Sequence, residues 1–229
     1  MKQLLYDIIA KNGIKMMFKL FPDHFAKQPL KPSSRYLEYP FAIKHLPPAG
    51  KVLDAGCAGS FFPLTLAAMG YNVIGLDKRP YDLLNNLRFE NFYFVDQDIR
   101  KTFYIDNVFD AVTAISSVEH IGLRGRYGQN DDPLGDITAL REIKRILKLN
   151  GVCILTVPFG QAKIIKPYLR IYDTNQLNLL TIGFEIEVEE YYCLDKNGDW
   201  WQKPKGVVEQ IDVKLDMEPV ALLKLRKLT

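Results

Sequence analysis

The stretch KVLDAGCAGSFFPLTLAAMGYNVIGLD (51–77) decides how the fold is read. It opens with a short apolar run, KVLDAGC (51–57), of the kind that forms a strand buried on both faces. A turn of small residues, DAGCAGS (54–60), overlaps its end. A helix is expected over 60–69, ended by Gly70, and NVIGLD (72–77) reads as a second strand. A strand, a turn that lets backbone approach a ligand, a helix and a further strand make one unit of a parallel α/β sheet.

The alternation continues outward from this unit. A helix is expected over 81–88 and strands over 92–98 and 109–116. The clearest helix is 134–149, where Ile137, Leu140, Ile143, Ile146 and Leu147 recur at helical spacing. Gly151 is expected to stop it, and a fifth strand follows at 152–158. FEIEVEEYYCLD (184–195) alternates as a half-wet strand, and EPVALLKLRK (218–227) reads as another. No helical segment between them is long enough for a crossover, so they should pair antiparallel. The expected fold is a Rossmann-like, doubly wound α/β sheet of about seven strands, mostly parallel with an antiparallel C-terminal pair.

Residues 1–48 are expected to form an N-terminal helix and a proline-rich connecting segment, a candidate lid, with at most one short helix around 34–45. Residues 49–229 form the main domain. The first 21 residues place Lys2, Lys11, Lys15 and Lys19 among apolar positions at helical spacing. Two readings stay open there: a helix that packs on the domain, or a basic amphipathic helix in weak contact with a membrane surface.

Composition narrows the function classes. Of 229 residues, 48% are hydrophobic and 25% charged, with a net charge of +3. The basic residues are scattered, so nucleic acid is not favoured as a partner. Cys57, Cys153 and Cys193 are far apart and odd in number, which suits a reduced, cytoplasmic chain. No apolar run approaches the roughly 18 residues of a membrane span, and no secretory cleavage site follows the N-terminus. His24 and His45 lie far from His120, so no metal site is expected.

Chemistry gathers at strand ends. The small residues of 54–60 suit a nucleotide-like cofactor at the carboxyl end of the first strand. Starting at Gly56 the chain reads Gly-Cys-Ala-Gly-Ser-Phe, which lacks the second and third glycines of GxGxxG and counts against a nicotinamide dehydrogenase. Asp77 lies 21 positions beyond Gly56, placed to grip both hydroxyls of a ribose. Asp98 could accept from an adenine amino group. It is preferred over Asp96 because Ile99 could then pack on the ring.

DAGCAGS (54–60), GLD (75–77), DQDI (96–99), FDAVTAISSVEHIG (109–122) and ALREIKRILKLNGVCILTVPFG (139–160) together resemble the class I S-adenosylmethionine-dependent methyltransferases, in particular the methyltransferase-type-11-like group. The family motif is D-x-G-x-G-x-G. Asp54 and Gly56 are kept, and Ala58 and Ser60 replace the later glycines. The resemblance covers roughly residues 35–195. RYLEYPF (35–41), SSVEHIGLRGRYG (116–128) and RIYD (170–173) look like a poorly characterised bacterial subgroup.

The resemblance implies S-adenosylmethionine held by Asp54, Gly56, Cys57, Ala58, Gly59, Asp77, Lys78, Asp98, Ile99 and Ser116. His120 is the candidate general base, with a hydrogen-bonding role in shaping the pocket as the alternative. Glu119 would orient the cofactor or His120, or cap the following helix. Arg124, Arg126 and Tyr127 in the polar loop 121–136, with Tyr168 and Arg170 beyond the fifth strand, are candidates for holding an acceptor. Trp200 and Trp201 would cover a sugar or aromatic acceptor, or simply pack. No Asn/Asp-Pro-Pro-Tyr/Phe follows the fourth strand and there is no Pro-Cys pair, which disfavours chemistry on exocyclic amines and cytosine C5. The leading expectation is methyl transfer to a small-molecule hydroxyl on a sugar, natural-product or lipid-linked intermediate. The alternatives are a non-catalytic module of this fold and, behind it, a nicotinamide-dependent reductase.

Overall fold

The computed structural model describes residues 12–13, 15–17, 19–20, 33–87, 89–125, 130–214 and 219–228. They belong to two compact units, Met1–Pro32 and Ser33–Thr229. In the first, residues 12–13, 15–17 and 19–20 are helical, with Met16, Met17 and Leu20 exposed.

The second unit is built on an eight-stranded sheet in the order β3-β2-β1-β4-β5-β10-β8-β9. The strands are β1 Lys51–Ala55, β2 Asn72–Asp77, β3 Phe92–Asp96, β4 Phe109–Ile115, β5 Leu147–Pro158, β8 Phe184–Leu194, β9 Trp200–Gln202 and β10 Val220–Lys227. The first five are parallel. β10 runs antiparallel between β5 and β8, as the last two sequence-predicted strands required. The eighth strand, β9, was not anticipated. It is only three residues long and exists by pairing Trp200–Gln202 with Leu194–Tyr192. A hairpin of β6 Lys163–Ile165 and β7 Leu169–Ile171 stands apart from this sheet.

Alternation along β1 sends Val52 to one face and Leu53 to the other. On the Leu53 face, α4 (Gly135–Ile146) buries Ala139, Leu140, Ile143 and Ile146, and α5 (Thr174–Leu180) buries Leu177 and Leu180. On the Val52 face lie α1 (Arg35–His45), through Phe41 and Ala42, and α2 (Phe62–Ala68), through Phe62 and Leu66. Two further short helices are α3 (Asp82–Asn86) and α6 (Lys205–Val208). α1 carries Pro40 and falls in the stretch read as connecting, yet it covers the sheet and belongs to the main unit.

α4 stops at Ile146, earlier than the sequence suggested. Leu147 is already extended and opens β5. Gly151 serves a bulge instead: pairing jumps from Phe109↔Leu147 to Ala111↔Val152. A Cβ at Gly151 would lie 2.8 Å from the Lys148 carbonyl oxygen, so the bulge admits only glycine. Among the described residues no helix is long and apolar enough to cross a membrane.

β1 lies between β2 and β4, and the chain winds away from it in both directions. Folds of this kind bind ligands in the crevice outside the carboxyl ends of the strands at that point.

Candidate functional site

A cavity of about 400 Å³ opens at the carboxyl ends of β1, β2 and β4. Its floor is the turn after β1. Gly56 has a φ of +81°, and a Cβ there would lie 2.5 Å from the Ser117 Cβ, so the backbone and Ser117 approach as only glycine allows. The Gly56 amide donates to the Leu76 carbonyl at 2.7 Å, which ties the turn to β2. Ala55, Gly56 and Ala58 line the cavity. The Cys57 thiol points inward, 2.9 Å from where a Cβ on Gly75 would stand, and burial pushes its pKa far up. Cys57 and Gly59 are not on the cavity wall.

Asp77 reaches the cavity from the end of β2 and fastens two segments. Oδ2 accepts from the Ala58 amide at 3.1 Å, and Oδ1 accepts from the Arg79 amide at 2.9 Å. The Arg79 guanidinium also lies on it, Nε to Oδ1 at 3.1 Å and Nη2 to Oδ2 at 3.2 Å. Asp98 and Ile99 stand on the opposite wall, while Asp96 is exposed and off it. Asp98 meets Arg100 through Nε to Oδ1 at 3.0 Å and Nη2 to Oδ2 at 2.6 Å, with Lys78 at 3.2 Å. Burial pushes the Asp98 carboxyl up, but these cations outweigh it and hold its pKa at about 2.

Behind the cavity sits a buried polar network that the sequence did not reveal. Glu38, on the first turn of α1, is 0% exposed. One of its oxygens accepts from the hydroxyls of Ser116 and Thr156, the latter at 2.7 Å. The other accepts from Ser34 at 3.2 Å and pairs with Arg35, which lines the cavity. Ser116 ends β4 with a φ of +41°, a left-handed conformation that this network holds in place. Asp54 lies under the turn, 4% exposed, and accepts from the Thr113 hydroxyl at 2.7 Å. Burial raises its pKa to about 6. Arg35 feels the fields of three buried carboxylates, Glu38, Glu119 and Asp54. The one sequence signal for α1 was the RYLEYPF stretch, which suggested likeness rather than a role.

His120 lines the cavity from a 3-10 turn, Val118–His120, after β4. Its Nδ1 is 2.6 Å from the Tyr168 carbonyl oxygen. A carbonyl only accepts, so Nδ1 carries a proton and Nε2 is the nitrogen left to take one. Nε2 lies 3.4 Å from Oε1 of Glu119, which is 2% exposed.

Arg170 does not have the acceptor-holding place expected of it. It is 6% exposed, and its guanidinium donates to the carbonyls of Ile121 and Asp132 and lies 3.6 Å from Asp136. Arg100 takes the Asp132 carboxylate at 2.7 Å. Both bases of the polar loop are thereby clamped. Arg124 is exposed on that loop and does not line the cavity, and Arg126 and Tyr127 lie outside the described residues. Tyr168 is partly exposed and meets the site through its backbone. Trp200 and Trp201 sit on the edge strand β9, at the opposite edge of the sheet from β3. The sheet's far edge therefore gives the tryptophans no part in this cavity.

A family model described as "Caenorhabditis protein of unknown function, DUF268" matches residues 69–197, more than half of the chain. The chain belongs to this family. The matched region holds Asp77, Asp98, Ser116, Glu119, His120 and Arg170, and leaves out α1 and the Gly56 turn. No curated protein matches the chain. Among solved structures, a SAM-dependent methyltransferase from Methanosarcina mazei is 16% identical with a TM-score of 0.59, over 83% of this chain and 98% of that one. A Burkholderia thailandensis 1,6-didemethyltoxoflavin-N1-methyltransferase, with bound 1,6-didemethyltoxoflavin and S-adenosylhomocysteine, is 14% identical with a TM-score of 0.63, over 98% and 89%. The cyclase SpnF is 20% identical with a TM-score of 0.63, over 88% and 85%. This DUF268 chain has the class I methyltransferase fold.

Proposed function

We propose that the chain is an S-adenosylmethionine-dependent methyltransferase acting on a small-molecule acceptor. The observation that carries the reading is the charge around the crevice: Glu38, Glu119 and Asp54 are all buried, and all act on the one guanidinium of Arg35. An excess of buried carboxylate calls for a further cation. S-adenosylmethionine brings two, a sulfonium and an ammonium, together with a carboxylate that suits Arg35. Asp77 is the acceptor for the ribose hydroxyls, once the half-exposed Arg79 guanidinium swings aside. Leu76 and Ile99 give apolar walls for the adenine, and Asp98 stands beside them. The cavity volume falls within the range of small-ligand sites.

When bound, the cofactor supplies a methyl group already activated for displacement. The protein's own task is then to position the acceptor, keep water out and remove a proton. With Nδ1–H fixed on the Tyr168 carbonyl, Nε2 of His120 receives the acceptor's proton, and Glu119 stabilises the imidazolium that results. A base is needed for a hydroxyl acceptor, which is why a hydroxyl on a sugar, natural-product or lipid-linked intermediate remains our preferred class.

Incubation with methyl-labelled S-adenosylmethionine and a panel of hydroxylated acceptors tests this. Label should transfer, and His120→Ala should slow the transfer by about 10²–10⁴-fold with cofactor binding retained. One observation favours a second reading, a binding module without turnover. Both carboxylates offered to the nucleoside are engaged by the chain's own cations, Arg79 on Asp77 and Arg100 with Lys78 on Asp98. Cofactor binding without transfer to any acceptor would support that reading.

A further inference from the structure

A second cleft, of about 450 Å³, opens at the amino edge of the sheet, the end away from the proposed cofactor crevice. It lies where α1 ends, where β4 and β5 begin and where β10 finishes. Lys44, His45, Lys148, Lys224 and Arg226 line it, against a single carboxylate, Asp110. Lys148 pairs with Asp110 at 2.7 Å, and Lys224 and Arg226 share Glu187. Lys44 is exposed and makes no ion pair among the described residues. The carbonyl end of α1 accounts for Lys44 as a dipole partner. It does not account for three cations brought from two strands.

The unexplained group is His45. Its Nε2 is shut off from solvent and has no hydrogen-bond partner, although the ring lies on the cleft wall. A buried polar nitrogen without a partner costs stability unless a ligand supplies one.

We propose that this cleft is a binding site for a phosphate-bearing small molecule. A phosphate oxygen would meet Nε2 of His45, and the charge would rest among Lys44, Lys148, Lys224 and Arg226. A hydrogen phosphate suits the nitrogen in either tautomer, because it both donates and accepts. The groups acting on His45 are Lys44 on its own helix, Lys224 on β10 and Glu190 on β8. Burial first, then the two lysines, lower its pKa and keep it neutral. A bound phosphate works against both lysines, so binding tightens as the pH falls and His45 takes a proton. The enclosed shape of the cleft favours a small ligand over the extended backbone of a nucleic acid. The site stands on its own, whatever binds at the other end of the sheet.

The test uses the full chain carrying isotope-labelled histidine, with imidazole nitrogens followed by NMR. There are only three histidines, and His45→Gln identifies the signals of interest. Inorganic phosphate is titrated at constant ionic strength against chloride, with a short single-stranded oligonucleotide as a further arm. The expected result is a saturable shift of the His45 signals with phosphate. Binding should weaken by about tenfold or more in Lys44→Glu, the loss of one charge-assisted contact. The proposal is overturned if phosphate moves His45 no more than chloride does, if Lys44→Glu responds like the unaltered chain, or if only the oligonucleotide binds.

Discussion

Glu38→Gln is the substitution that most sharply tests the buried network behind the crevice. Glutamine keeps the volume and one oxygen, so Ser116 and Thr156 keep their acceptor. The new amide, however, faces Arg35 and Ser34. What is lost is the pair with Arg35, whose side chain is 38% exposed and hence screened. The cost should be about 1–2 kcal/mol, which lowers Tm by roughly 2–8 °C for a domain of this size. Glu38→Ala goes further: it strands the Ser116 and fully buried Thr156 hydroxyls and leaves a void, costing about 3–5 kcal/mol. Urea and thermal unfolding of the three chains measure the ranking, with the slope of the urea transition unchanged. If Glu38→Ala unfolds with the midpoint of the unaltered chain, Glu38 does not anchor Ser116 and the reasoning fails. If glutamine costs as much as alanine, charge rather than hydrogen-bond geometry holds the network.

Three further outcomes are expected. Gly56→Ala should lose cofactor binding, because its φ of +81° disfavours a side chain and the added Cβ meets Ser117 at 2.5 Å; isothermal titration checks this, and unaltered affinity would move the cofactor elsewhere. Arg170→Leu should cost about 3–5 kcal/mol by stranding buried Asp136 and should open the polar loop to proteolysis, whereas a stable variant with only a raised KM would restore the acceptor-holding role. Asp54 has a folded pKa of about 6 against 3.8 unfolded, so its contribution to stability falls as pH rises through that window. Asp54→Asn should therefore gain on the unaltered chain between about pH 4 and 7, by on the order of 3 kcal/mol, and a pH-independent difference in unfolding free energy would contradict this.

The sheet was legible because its strands are long apolar runs bounded by glycines and charges, and NVIGLD (72–77) coincides with β2. The elements that escaped are those that depend on a partner. β9 and the β6–β7 hairpin are three-residue strands with no pattern of their own. The true end of α4 was hidden because Leu147 continues the helical spacing while its backbone is already extended. At the site, Asp77, Asp98 and His120 could be named from their places after strands. Glu38 could not, because its partners Ser116 and Thr156 are 78 and 118 positions away. Arg170 misled for a related reason: an arginine near a crevice reads as a ligand contact until its burial and its carbonyl partners are known.

Isothermal titration of S-adenosylhomocysteine into the unaltered chain and into Asp77→Ala tests the central claim most directly. The account predicts saturable binding to the unaltered chain, weakened by about 1–3 kcal/mol in Asp77→Ala, where the ribose hydroxyls lose their charged acceptor. Binding of NADH with no response to S-adenosylhomocysteine would contradict it, as would equal affinity in both chains.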